Sequence, residues 1–427
     1  MTAYVNGQKI VGVVPEVSNL DLTANTINYN NHNLDITSNT NLNKVITTNN
    51  FVTRMSVIEN DVANAINLKP ESIAYGENVL GVEGNHTEEL PNNLIFSRSS
   101  VVELPNWVNR LDTSKLNSME DMFYGCYKLK HAPNWNTSKV EGFSSTFREC
   151  SNLVEVPAYN TDIAWVFRNT FCGCSNLIEA PNWNMQKAEF TSSMFNNCVN
   201  LKSVFNYNLY TANVTDYMFY NCVNLTNISN IFTRRLNYID GMFQNCIRLA
   251  NIPNLNYSTA KSIRGTFLNC TNISIIETLN ICNATMTDGM FKNCYNLTSI
   301  NEINMYEASA CEYMFENCTN LTSINSLICA NLNRVGNMFT NCFNLVDVPE
   351  INITTISINW GLTNMFTNCN SLSNNSLSNI LNMCIKAVNY TGTKKLNIIG
   401  IKNTNLLNNV VNLPIYPDFL NAGWTLN

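Results

Sequence analysis

The chain has 427 residues, 45% hydrophobic and only 13% charged, with a formal net charge of −6. That length suits two or three domains or one long repeat array, and excludes only a mini-protein held together by disulfides. Its polar surface must come from the 79 asparagines rather than from charge, and 25 basic against 31 acidic residues leave no cationic footprint for nucleic acid or an anionic membrane.

Residues 1–95 come first and have their own texture. Met1 to Lys9 shows neither a basic nor an apolar leader pattern, and no apolar run nears the length of a membrane span, so neither an export signal nor membrane insertion is expected. Gly7-Gln8-Lys9-Ile10-Val11-Gly12-Val13 and Gly76-Glu77-Asn78-Val79-Leu80-Gly81-Val82 share the form Gly-x-x-apolar-apolar-Gly-Val. Both suit short strands bounded by tight turns. Asp21 to Asn50 is rich in Asn and Thr and weakly patterned, an extended arm. Val52, Met55, Ile58, Val62 and Ile66 then fall near helical spacing, which predicts a helix from Phe51 to Asn67 stopped by Lys69-Pro70. We read 1–95 as a small β/α attachment module.

Residues 96–375 repeat. Cys126, Cys150, Cys174, Cys198, Cys222, Cys246, Cys270, Cys294, Cys318 and Cys342 stand at a constant 24-residue interval, and Cys369 follows 27 later. Each is preceded by Phe at −3, usually within Met-Phe-x-Asn-Cys, and followed by Leu or Ile at +3, and the ten from Cys126 to Cys342 carry a small or branched apolar residue at +6. A unit this short cannot close a core alone, whereas stacked copies lay Phe on Phe, Cys on Cys and Leu on Leu. About eleven coils spaced as β-strands make a rod of roughly 50 Å. The apolar positions step by three, so each coil is expected to hold one short strand near Leu, with turns and a helical turn through Met-Phe. Asn just before Cys and two after it suits turns, tolerates left-handed dihedrals, and could form ladders between coils.

Sixteen cysteines in an unexported chain read as packed thiols, the column included, because parallel rotamers keep neighbouring sulfurs a coil apart and offer a zinc ion no four converging ligands. Cys172-Gly173-Cys174 lacks a second pair nearby, and Cys282, Cys311, Cys329 and Cys384 read as packed too. His32, His86 and His131 are scattered. No metal, cofactor or catalytic residue is expected, since no nucleophile elbow, phosphate loop or HExxH occurs. Nine residues after the cysteine the early coils carry Trp135, Tyr159, Trp183 and Tyr207, preceded by Trp107, and flanked by Asn134, Asn136, Asn160, Asn182 and Asn184. These rings and amides are the candidate binding residues, a sugar-stacking column. Later coils put Ile231, Leu255, Leu279 and Ile303 in the ring slot, which favours burial of the rings.

Residues 376–427 break the period and read as a C-terminal cap. Leu377, Ile380, Leu381 and Cys384 share one face of a short helix from Ser376 to Met383, and Val410 to Leu413 reads as extended and stopped by Pro414.

Phrases such as Asn213-Val214-Thr215-Asp216-Tyr217-Met218-Phe219-Tyr220-Asn221-Cys222-Val223-Asn224-Leu225 resemble the leucine-rich repeats of the BspA-like surface-protein family, over about residues 100–375. The resemblance implies a mainly β leucine-rich-repeat solenoid with short helical turns, and adhesion or recognition rather than catalysis. Leu68 to Gly84 resembles a segment of tail and baseplate-associated proteins in phages of Gram-positive hosts, and Leu377 to Thr425 resembles the end of phage-encoded repeat proteins. The whole is therefore read as a virion protein. Residues 1–95 would dock to other virion proteins, and the solenoid would recognise a host cell-surface glycan or protein, in a chain that could form a homo-oligomer. The alternatives are a BspA-like adhesin on a bacterial cell surface and a purely structural decoration of the virion.

Overall fold

The computed structural model describes residues 112–397, interrupted at 205–206, 227, 229–230, 354–361, 363, and then 404–426. It also describes 96–97, 102, 104 and 108–109, and the backbones of six short strands within 1–95. The helix expected from Phe51 to Asn67, and Trp107, lie outside the described residues. The chain divides into two compact units, Met1–Met185 and Gln186–Asn427.

In the first unit β1 (Thr2–Val5) and β2 (Gln8–Val11) form an antiparallel hairpin about Asn6-Gly7, as do β5 (Asn78–Val79) and β6 (Val82–Glu83) about Leu80-Gly81. Both fall where the Gly-x-x-apolar-apolar-Gly-Val phrases put strands. The segment read as an unpatterned arm also holds a hairpin, β3 (Thr26–Tyr29) with β4 (His32–Asp35).

The coils of this unit then stack parallel. The rings of Phe96, Phe123, Phe147 and Phe171 lie 5.3 to 5.6 Å apart and within 6° of parallel. Leu129, Leu153 and Leu177 form a second fully buried column. Phe96 shows that the stack begins one coil before the first cysteine of the period.

The second unit repeats the design from Phe195 through Phe219, Phe243, Phe267, Phe291, Phe315 and Phe339 to Phe366, with centroid spacings of 5.2 to 5.7 Å. Each ring pair adds about 0.5–1.5 kcal/mol beyond burial of its area. Early in this unit two coils meet in a short parallel pair, β7 (Asn208–Leu209) with β8 (Phe232–Thr233).

No helical turn runs through Met-Phe, contrary to the expectation. Two residues per coil have left-handed φ, one five before the cysteine (Asp121, Ser145, Tyr217, Gly265) and one immediately before it (Asn197, Asn221, Asn245, Asn269). Every second N–H between them leaves the coil, as Phe123 N to Thr146 O at 2.8 Å and Phe219 N to Met242 O at 2.9 Å. A helix would need those donors for itself. Asn at −1 has φ of 59 to 65° in each coil from Asn197 to Asn368, a conformation that costs most other residues about 1–2 kcal/mol.

Proline stands in the coils on either side of the continuous sheet. β9 (Ile275–Asn280), β10 (Ser299–Asn304) and β11 (Ser323–Ile328) make a parallel sheet in the order β9-β10-β11, in register at the 24-residue period. Seven residues after their cysteines these coils carry Glu277, Asn301 and Asn325, while the flanking coils carry Pro253 and Pro349. In the first unit the slot holds Pro133, Pro157 and Pro181. There the same side of the coil forms only an isolated bridge, His131 with Glu155. Proline has no N–H to give a ladder, and so a strand near Leu in every coil was too general an expectation.

The C-terminal segment follows the last coil and bonds to Val346, Asp347 and Val348. Helix α1 (Asn374–Lys386) starts at Ser373, whose hydroxyl accepts from Ser376 N, and it buries Leu377, Ile380, Leu381, Met383 and Cys384. Ser376 Oγ accepts from Val348 N at 2.8 Å, and Asn379 Nδ2 donates to Val348 O at 3.0 Å. The stretch Val410 to Leu413, read as extended, belongs instead to the end of α2 (Thr404–Val411), where Leu406 and Val410 are buried one turn apart. Helix α3 (Tyr416–Asn421) and the parallel pair β12 (Lys395–Leu396) and β13 (Thr425–Leu426) complete the segment. Trp424 is buried there, stacked on Tyr390 at 5.3 Å.

Candidate recognition surface

Around the ring slot each coil of the first unit alternates in and out like a strand: the residues nine and eleven after the cysteine are buried, and the one between is exposed. Trp135, Tyr159, Trp183 and Tyr207 are all at most 5% exposed. The polar ends of the first three face backbone rather than solvent. Trp135 Nε1 donates to Val108 O at 2.7 Å, Tyr159 OH to Pro133 O at 2.6 Å and Trp183 Nε1 to Pro157 O at 3.0 Å. Burial alone pushes the Tyr159 and Tyr207 hydroxyls far above the ordinary phenol range. Rings in this state offer no face on which a sugar could stack, so they act as interior wedges that use bulk and a hydrogen bond to fix successive coils.

The flanking amides part company with the rings. Asn134, Asn136, Asn160, Asn182 and Asn184 are exposed. Asn136 Oδ1 accepts from Ser138 N and Asn160 Oδ1 from Asp162 N, and the same turn recurs at Asn256, Asn280 and Asn304. These asparagines hold the outer bend of each coil in an Asx turn, keeping the Nδ2 donors for the surface. Asn184 Nδ2 donates to Asp162 Oδ1 at 2.7 Å across coils. The sequence marked the amides by their neighbourhood to the rings; the signal for their role was their recurrence ten residues after the cysteine.

Two further columns were hidden in the sequence. Within both units the period cysteines donate their thiols to the carbonyl of the phenylalanine one coil earlier, at 3.0 to 3.2 Å, as Cys126 to Phe96, Cys150 to Phe123 and Cys294 to Phe267. Burial pushes these thiols up: Cys318 reaches about 12. Such sulfurs are poor nucleophiles and poor metal ligands. In the second unit, six residues before the cysteine, Asp216 Oδ1 accepts from Asp240 N and Asp240 Oδ1 from Arg264 N, both at 2.8 Å, and Asp288 Oδ1 accepts from Glu312 N at 3.0 Å. Burial raises the Asp216 carboxyl above its ordinary value, and the charge of Asp240 adds to the shift. Its Oδ1 is already engaged by the backbone, so this pair of carboxylates ties coils together. Among the described residues no group of His, Cys, Asp and Glu could hold a metal ion, and no helix is long and apolar enough to cross a membrane.

Two family models match the chain. The model of the BspA type leucine rich repeat region matches in six copies over residues 212–346 and 308–411, and the model described as a Mycoplasma protein of unknown function, DUF285, matches residues 93–227. No curated protein matches. Among solved structures, a leucine-rich repeat protein from Bacteroides ovatus is 20% identical, with 64% of this chain and 81% of that one covered and a TM-score of 0.33. The pneumococcal vaccine antigen PcpA is 13% identical, with 66% and 73% covered and a TM-score of 0.30. A leucine rich cell surface protein from Faecalibacterium prausnitzii is 16% identical, with 49% and 76% covered and a TM-score of 0.22.

Proposed function

We propose that this chain, a stack of BspA-type leucine-rich repeats, is a recognition protein that adheres through the exposed residues of its coils and is displayed at a bacterial cell surface. One observation carries the reading. The buried slots repeat almost without change, whereas the outward slot directly after the cysteine, exposed or half-buried, runs Tyr127, Ser151, Ser175, Val199, Val223, Ile247, Thr271, Tyr295, Thr319 and Phe343. A solenoid that fixes its core and varies its outside presents an extended, adaptable surface, which is how repeat arrays bind protein and other ligands. The exposed amides Asn134, Asn136, Asn160, Asn182 and Asn184 belong to that surface and suit a glycan or a polypeptide equally, as donors and acceptors.

The experiment is binding of the labelled full chain to intact bacterial cells before and after periodate or protease treatment. Saturable binding lost with periodate assigns a glycan partner, binding lost with protease assigns a protein, and no binding to any cell overturns the reading. A second setting, a phage tail or baseplate protein docked through residues 1–95 to other virion proteins, is favoured by the segment Leu68 to Gly84. Immunolabelling separates the two: antibody on intact cells supports the adhesin, and antibody on purified particles supports the virion protein.

A further inference from the structure

The parallel sheet of the second unit has two ends, and they are finished differently. Beyond β11, Ile324 N donates to Asp347 O, Val346 N and Asp347 N donate to Thr322 O, and Ser376 and Asn379 of α1 meet the N–H and C=O of Val348 in the coil that follows. Beyond β9 the sheet has no such finish. The preceding coil carries Pro253, and its backbone turns on itself: Leu255 N donates to Pro253 O at 2.9 Å and Tyr257 N to Leu255 O at 3.0 Å. Among the described residues no hydrogen bond joins the backbone of 251–258 to that of Ile275–Asn280. The inter-coil bond that links Thr298 N to Ser274 O and Thr322 N to Thr298 O has no counterpart from Ser274 N to Ala250 O. β9 is therefore a sheet edge inside the array, with one alternate set of its N–H and C=O groups unpaired by protein. Residues 251–258 and β9 line a cleft of about 400 Å³, with the buried Leu255, Ile276 and Leu279 and the amides of Asn251, Asn254 and Asn256 among its lining.

We infer that this cleft binds an extended polypeptide segment, which adds to the free edge of β9 as a further strand. The backbone chemistry of the edge selects that occupant. Unpaired backbone groups along a six-residue strand are complemented by another backbone running alongside at about 4.8 Å, an arrangement known as β-augmentation. Six residues of strand match a peptide span of about 20 Å. Glu277 is exposed and is the one charged side chain that lines the cleft, so the favoured segment carries Lys or Arg where it passes Glu277. The inference goes beyond the recognition reading, for it holds whether the array meets its partner on a cell or on a particle. Natural sheets cover or blunt their edges, and the opposite strand of this sheet keeps inter-coil bonds at Thr322 and Ile324 that β9 lacks.

The test uses the full chain and three forms of one octapeptide of alternating Thr and Val with a central Lys: unmodified, and N-methylated at alternate residues in each of the two possible sets. N-methylation removes the donors of one strand edge and leaves the other. The expected result is saturable binding of the unmodified peptide and of one methylated form, with the other weaker by about tenfold or more. Amide exchange at Ile275–Asn280 should slow when the peptide is added. Glu277→Lys, on an exposed side chain, should leave the melting temperature unchanged and weaken the lysine peptide several-fold, with no such loss for a Glu-containing counterpart. Equal binding of both methylated forms, unchanged exchange in β9, or no saturable binding up to millimolar peptide would each overturn the inference. Peptide binding without cell binding would sink the recognition reading and leave this one standing.

Discussion

The thiol of Cys270 donates to the carbonyl of Phe243, 27 residues earlier, at 3.0 Å, inside a core where both residues are fully buried. The bond explains why this slot is cysteine in coil after coil: a small, largely apolar side chain brings a second donor to a carbonyl that already accepts from Cys246 N at 3.0 Å. Cys270→Ala removes this donor while Cys246 N still serves the same carbonyl at 3.0 Å, so the cost of the lost bond is about 0.5–1.5 kcal/mol. Cys270→Ser keeps a donor and should lose less. Urea denaturation of the two variants measures the difference, and an alanine variant as stable as the serine one would remove the hydrogen bond from the account.

The same burial makes stability depend on pH. A thiol is neutral when protonated, and Cys318 is raised by desolvation from 9.0 to about 12 in the folded chain. The folded state thus holds its proton more tightly than the unfolded one. The stabilisation is present in full below about pH 9 and is lost as pH climbs from about 9 towards 12. The denaturation midpoint should fall across that window. At about pH 8, just below the ordinary thiol value, iodoacetamide should reach the half-buried Cys172 and Cys282 well before the column, which a peptide map after alkylation checks.

Asn293 tests the ladder and the backbone together. Its Nδ2 donates to Asn269 Oδ1 and its Oδ1 accepts from Asn317 Nδ2, both at 2.7 Å, with φ at 63°. Asn293→Gly loses the two rungs and keeps an easy left-handed backbone, whereas Asn293→Ala loses the rungs and adds about 1 kcal/mol of strain. Alanine should be the less stable of the pair by that margin in chemical denaturation. Equal stabilities would mean that the left-handed backbone of this turn is not what the slot selects for.

Much of this was legible in the sequence because stacking forces identity. A residue at Phe291 must match its copies at Phe267 and Phe315, since each ring packs on the last, and so the period, the core columns and the asparagine ladder could be read directly. The second left-handed position could not, because its slot accepts Asp121, Ser145, Tyr217 and Gly265 alike. The cysteine bond was invisible for a different reason: its acceptor is a carbonyl, which leaves no mark on sequence. The rings at Trp135 and Trp183 were marked as candidates by type, yet type does not say which way a side chain points. In the last segment Val410 and Val411 favour extended backbone locally, and docking of Leu406 and Val410 into the interior overrides that preference. The proline rule was present in the letters all along, at Pro133, Pro157, Pro181, Pro253 and Pro349.

That rule yields the last prediction. If Pro253 is what holds residues 251–258 away from β9, then Pro253→Asn gives this coil the residue that β10 and β11 carry at Asn301 and Asn325. The freed φ lets this coil take the extended backbone of β10 and β11 and pair with β9, so the sheet should gain a strand and the cleft should close. Hydrogen exchange at Ile275–Asn280 should slow by about tenfold or more in the variant, without peptide, since exchange from a paired edge needs local opening. The octapeptide that binds the parent chain should bind the variant about tenfold more weakly, its place being taken by the chain itself. Unchanged exchange in β9 would show that side-chain packing of Leu255 and Tyr257, both buried, holds the coil in its turn without help from the proline ring.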